Sequence, residues 1–142
     1  DEAWATTHDG PSPGGRYEQA VFDAKVEAAI RMVEREIDFM DFSVYRMRVF
    51  DGKSGKDVAA SLGVSEPTIS RRLSKVRDVL RLRLADVMAK FSFTEEELGE
   101  ASRNGVDPNP TKASDALFDE AMSDIYHRQI ALRQEDEVSP VD

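Results

Sequence analysis

The chain has 142 residues, 40% of them hydrophobic, and carries 28 acidic against 19 basic side chains for a formal charge of −9. Cysteine is absent and His8 and His127 are the only histidines, neither in a short-range ligand motif, so disulfides, thiol catalysis and cysteine-ligated zinc are excluded. No apolar run approaches the roughly 20 residues that cross a bilayer, and no signal-peptide pattern opens the chain. A soluble cytoplasmic protein with no membrane partner is the expectation. Its first residue, Asp1 rather than Met, points to a piece of something longer.

Residues 1–16, ending Gly10-Pro11-Ser12-Pro13-Gly14-Gly15, are dense in turn formers and read as a flexible linker or arm. From Tyr17 the pattern is helical, with Phe22, Val26, Ile30, Val33, Ile37 and Met40 recurring at steps of three and four. Asp41 offers an N-cap to a shorter second helix carrying Val44, Tyr45, Met47, Val49 and Phe50, and Gly52 ends it. Ser54 caps a third helix with an inner face of Val58, Ala59 and Leu62, and Gly63 supplies a tight turn. Ser65 then caps a long helix that tolerates Pro67 in its first turn. Its apolar positions Ile69, Leu73, Val76, Leu80, Leu84 and Val87 keep helical spacing.

The remainder reads as two more helices. Thr94-Glu95-Glu96-Glu97 is a capping box ahead of Leu98 and Ala101, with Asn104-Gly105 as the stop. After a loop at Asp107–Pro110, Ser114 caps a helix on which Phe118, Ala121, Met122 and Ile125 share a face, extended by Leu132. From Gln134 the chain reads as frayed. The fold class is all-α, in three parts: the arm 1–16, a helix-turn-helix domain 17–90 and an acidic helical extension 91–142.

Charge is segregated along this order. Residues 51–90 hold nine cationic against five anionic side chains, a surplus of four, whereas residues 91–142 hold four against thirteen. The acidic average therefore hides a basic segment, and that segment coincides with the helix–turn–helix pattern at 54–80. Setting Leu73 at zero on a wheel of about 100° per residue puts Ile69, Val76 and Leu80 within about 60° of it. Thr68, Arg71 and Lys75 fall on the opposite side, flanked by Ser70, Arg72 and Ser74. Arg and Lys pair with guanine edges or phosphate, Ser and Thr bond to either, and Ser65 opens the helix N-terminus toward a phosphate.

The stretch Val44–Ser54, followed by Asp57–Ser65 and Thr68–Arg77, resembles region 4 of bacterial RNA polymerase sigma factors, with the closest likeness to the extracytoplasmic-function (ECF) group. The likeness covers about residues 21–84 and is most specific over 52–80. It implies a bacterial cytoplasmic domain that reads the promoter −35 element and rests on the β-flap of the RNA polymerase core. By position it puts base-edge contacts on Ser70, Arg71, Ser74 and Lys75, and backbone contacts on Thr68, Arg72 and Arg77, with Lys53 and Lys56 nearby. Lys53 departs from the family pattern, which has an apolar residue there, and so does Glu66-Pro67, which brings a carboxylate close to DNA. In the family the promoter-melting region 2 lies N-terminal, joined by a linker that residues 1–16 would suit, so the chain reads as a C-terminal fragment.

Residues 91–142 have no counterpart in the minimal family architecture and leave three readings open: helices that cover the domain's apolar face, an acidic tail that competes with phosphates for the basic segment, or a dock for a partner such as an anti-sigma protein. A response-regulator-type activator and a protein-interaction module remain alternatives for the domain itself. No cofactor is expected, and an enzyme is not. Asp115, Asp119, Glu120 and Asp124 read as a solvated acidic face rather than a magnesium cluster.

Overall fold

The computed structural model describes residues 13–90, 95–103 and 112–138, and among them every regular element is helical. These are α1 (Pro13–Glu36), α2 (Phe39–Tyr45) with a π-helical continuation (Arg46–Phe50), α3 (Gly55–Leu62), α4 (Glu66–Lys90), α5 (Glu95–Arg103) and α6 (Lys112–Val138). Trp4, His8, Phe91, Phe93, Thr94 and Asn104-Gly105 lie outside the described residues, as do the side chains of Leu98 and Ala101.

Helix α1 begins at Pro13, inside the stretch read as an arm. Proline suits a first helical turn because its missing N–H has no partner to lose there. The periodic face then buries Phe22, Val26, Ala29, Ile30 and Val33. The cap of α2 is Asp38, not Asp41. Asp38 has the extended backbone a cap requires, and its Oδ2 accepts from the N–H groups of Met40 (3.0 Å) and Asp41 (3.4 Å). Asp41 lies in the first turn and is buried.

The sequence pattern shows one helix through Phe50, but its last turn widens. The Asp51 N–H reaches Arg46 O at 2.8 Å, an i→i−5 bond. Tyr45 and Phe50, five apart, would diverge on an α-helix, and the wider turn lets both face inward. They meet edge to face at 5.5 Å between centroids, and Tyr126 of α6 stacks on Phe50 at 4.0 Å. The His127 ring Nε2 sits 2.7 Å from Phe50 O, so that nitrogen carries the proton and donates to the carbonyl. Gly52, at φ +71°, then reverses the chain.

Two apolar clusters result. The larger joins α1, α2, the π-helical turn, α4 and α6 through Phe22, Val26, Ile30, Val33, Tyr45, Phe50, Val76, Leu80, Leu84, Phe118, Met122 and Ile125. The smaller one belongs to the helix–turn–helix: Val44, Val58, Ala59 and Ile69, with Leu62, Val64 and Leu73 against them. Leu73 touches both, so the two cores are coupled through α4. The face of α6 ends near Ile125, and Leu132 is largely exposed. Helix α6 also starts at Lys112, which places Ser114 inside the helix rather than at its cap.

Ion pairs stitch the layers at their edges. Arg128 of α6 grips the buried Asp23 of α1 through Nε (2.8 Å) and Nη2 (3.1 Å), and Arg133 pairs with Glu27. Lys25 of α1 holds Glu97 of α5 at 3.0 Å. Arg83 of α4 chelates Glu36 at 2.6 and 2.7 Å, and that hydrogen bond holds the Glu36 carboxyl below its ordinary range.

The turn between α3 and α4 depends on Gly63, whose φ of +69° lies in the left-handed region. A Cβ there would meet nothing within 4 Å, so replacement costs backbone strain alone. Gly63→Ala is expected to lose about 1–2 kcal/mol and to lower the thermal midpoint by several degrees. An unchanged midpoint in a melting scan would show that the turn relaxes.

Candidate nucleic-acid interface

Helix α3 is capped by Ser54, whose Oγ accepts from Asp57 N–H at 3.0 Å, and ends at the left-handed Gly63. The next helix starts on a second hydroxyl cap: Ser65 Oγ accepts from Thr68 N–H at 3.3 Å and lies 2.9 Å from Thr68 Oγ1. Arg71 Nη2 donates to the same Thr68 oxygen at 3.0 Å. Ser65, Thr68 and Arg71 thus form one hydrogen-bonded chain at the front of α4. Ser65, Ser70, Arg71, Ser74 and Lys75 are exposed, Thr68 and Arg72 half-buried, while Ile69 and Val76 point into the two cores.

The predicted residues separate into three groups. Ser65, Thr68, Ser70, Arg71 and Ser74 share the outward face, and none of them meets an acidic side chain among the described residues. Arg72 and Lys75 stand at its edge, both turned onto Asp41: Nη1 of Arg72 at 3.4 Å from Oδ1, and Nζ of Lys75 at 2.9 Å from Oδ2.

Arg77 is elsewhere. Its side chain is 13% exposed and forks onto Asp119 of α6 at 3.1 and 2.7 Å, with Asp115 at 3.6 Å. Burial alone would lower its pKa; the hydrogen bond and charge of Asp119, with the charge of Asp115, outweigh that and raise it. The next basic residue inward, Arg81, pairs with Asp115 at 2.7 Å and lies over the Phe118 ring at 4.6 Å. Two of the four acids read as a solvated face are therefore ion-paired in the α4–α6 seam, whereas Glu120 and Asp124 are exposed.

Two participants were not assigned to this interface from the sequence. One is Asp41. The other is Arg48, which donates to Lys53 O at 3.1 Å and stands beside the start of α3 near the exposed Lys53 and Lys56. Its spacing from those lysines is the signal that could have marked it.

The geometry is that of a helix-turn-helix whose second helix presents hydroxyls and a guanidinium on a solvent-facing front half. Residues 41–80, from α2 to the middle of α4, match the family described as Sigma-70, region 4. The match supports a sigma-70 region 4 domain at these residues. No curated protein and no solved structure matches the chain.

Proposed function

We propose that the chain is the promoter-recognition part of an ECF-like sigma factor, reading the −35 element with the front half of α4 during transcription initiation. The carrying observation is the outward face itself: Ser65, Thr68, Ser70, Arg71 and Ser74 on a helix whose inner side is anchored in two cores. Hydroxyls and a guanidinium on the solvent-facing side of such a helix suit base edges and phosphates. The exposed Lys53 and Lys56, with Arg48, border the start of α3 and suit the flanking backbone. The polymerase core is the implied protein partner.

Helix α6, the described C-terminal part of the extension, serves this domain as a wall of its core. The burial of Phe118, Met122 and Ile125 supports that reading over competition with phosphates. The α6 acids that pair with α4 take Arg77 and Arg81, on the side away from the Ser65–Ser74 face.

Selection of duplexes from a random library by the whole chain tests the proposal. The expected product is one short asymmetric motif, bound with a salt slope that Arg71→Gln reduces by about 1. A palindromic motif would favour a dimeric activator, and no enrichment at low salt would refute DNA reading.

A further inference from the structure

We propose that Asp41 is a positioning residue for DNA recognition: it holds Arg72 and Lys75 in a charge-compensated cluster and leaves Arg71 as the guanidinium that α4 offers to DNA. The inference rests on the DNA-binding reading above and goes beyond it, because it assigns the selection of contacts to a residue outside the reading helix.

Asp41 is 6% exposed, one of the few buried acids among the described residues. It reaches α4 from the first turn of α2, immediately after the Asp38 cap. Its two oxygens are divided between two cations from successive turns of α4, Arg72 and Lys75. A carboxylate withdrawn from water is stable only while paired, so Asp41 does not release both partners at once. Arg72 is 31% exposed and is held mostly inside the seam, whereas Lys75 is 61% exposed. Lysine is a compact charge on a flexible stem, and untethered it would follow any phosphate within reach. The carboxylate instead fixes its ammonium toward α2. Arg71 has no acidic partner among the described residues and is aimed by Thr68.

The consequence is a division of labour. Phosphate contacts raise affinity for every sequence alike, so a tethered Lys75 lowers indiscriminate binding more than it lowers binding to the preferred site. Asp41 thus favours sequence discrimination over bulk affinity.

The test titrates the full chain with its selected duplex and a scrambled duplex over a salt series. Asp41→Asn is expected to steepen the salt slope by about 1 as Lys75 gains a phosphate. It should tighten binding to the scrambled duplex more than to the selected one, so that their ratio falls several-fold. A merely structural role for Asp41 would change the fraction folded, which moves neither slope nor ratio. Lys75→Gln, which leaves Asp41 paired with Arg72, decides the matter even where Asp41→Asn fails to fold. In the tethered arrangement it leaves the slope nearly unchanged, while Arg71→Gln lowers it by about 1. A fall of about 1 for Lys75→Gln, or an unchanged slope and ratio for a folded Asp41→Asn, overturns the inference alone. A wild-type chain that binds neither duplex at low salt overturns the DNA-binding reading, and this inference with it.

Discussion

Phe118→Ala lowers the stability of the whole chain by roughly 3–5 kcal/mol. Phe118 is fully buried and comes from α6, yet the cluster it fills is made mainly by α1, the end of the π-helical turn and α4. Truncation to alanine loses the transfer free energy of the ring and leaves a cavity that helices pinned by Asp23–Arg128 and Arg77–Asp119 close only in part. It also removes the ring beneath the Arg81 guanidinium. The check is urea denaturation followed by far-ultraviolet circular dichroism, in which the midpoint falls and the slope holds. A loss below about 1 kcal/mol would mean that α6 is not part of the cooperative unit. The same reasoning predicts that a chain ending before Lys112 exposes the core instead of releasing a DNA-binding domain.

Asp119→Ala has a comparable effect by a different mechanism, about 3–5 kcal/mol. Asp119 accepts from the Tyr45 hydroxyl at 2.8 Å and from both arms of Arg77, and Tyr45 is fully buried. Without the carboxylate, a buried phenol and a nearly buried guanidinium lose their shared partner. Asp119→Asn keeps an acceptor for Tyr45 but not the charge for Arg77, and falls between wild type and alanine. The network also carries a pH signature. Burial first, then the charge and hydrogen bond of Asp119, push the Tyr45 ionisation well above its ordinary 10.0. An unfolded tyrosine titrates near 10, so the folded state keeps a proton that the unfolded state sheds. This contribution is complete below about pH 10 and is lost as pH rises through the folded-state value. Tyr45→Phe is expected to flatten that alkaline decline while lowering stability at neutral pH. An identical alkaline slope in the variant would show that other groups govern it.

Much of the scaffold was legible in the chain because it rests on local rules. Ser54, Gly63 and Ser65 punctuate the helix–turn–helix where cap and left-handed geometry require them. Ile69, Val76, Leu80, Leu84 and Val87 are buried as their period predicts, and so are Phe118, Ala121, Met122 and Ile125. What escaped depends on partners distant in sequence. The resemblance puts a DNA-backbone contact on Arg77 by position, although the wheel sets it about 40° from Leu73, on the inward side. The carboxylate that claims it lies 42 residues away. Asp41 looked like a cap because Asp38 and Asp41 are both plausible by type. Only the placement of α4 shows that Asp41 turns inward to two cations. The π-helical turn was hidden for a related reason, since Tyr45 and Phe50 share a face only once α6 supplies Tyr126 to stack on.

In the proposed function, DNA meets the front half of α4 while α6 stays on the core. Amide shift mapping by nuclear magnetic resonance, with the isotope-labelled whole chain titrated with its selected duplex, tests this most directly. Shifts are expected to concentrate at Ser65–Lys75 and around Lys53–Lys56, with the α6 residues Asp115–Ile125 unmoved. Shifts centred on α6, or its release from the core on binding, would contradict it.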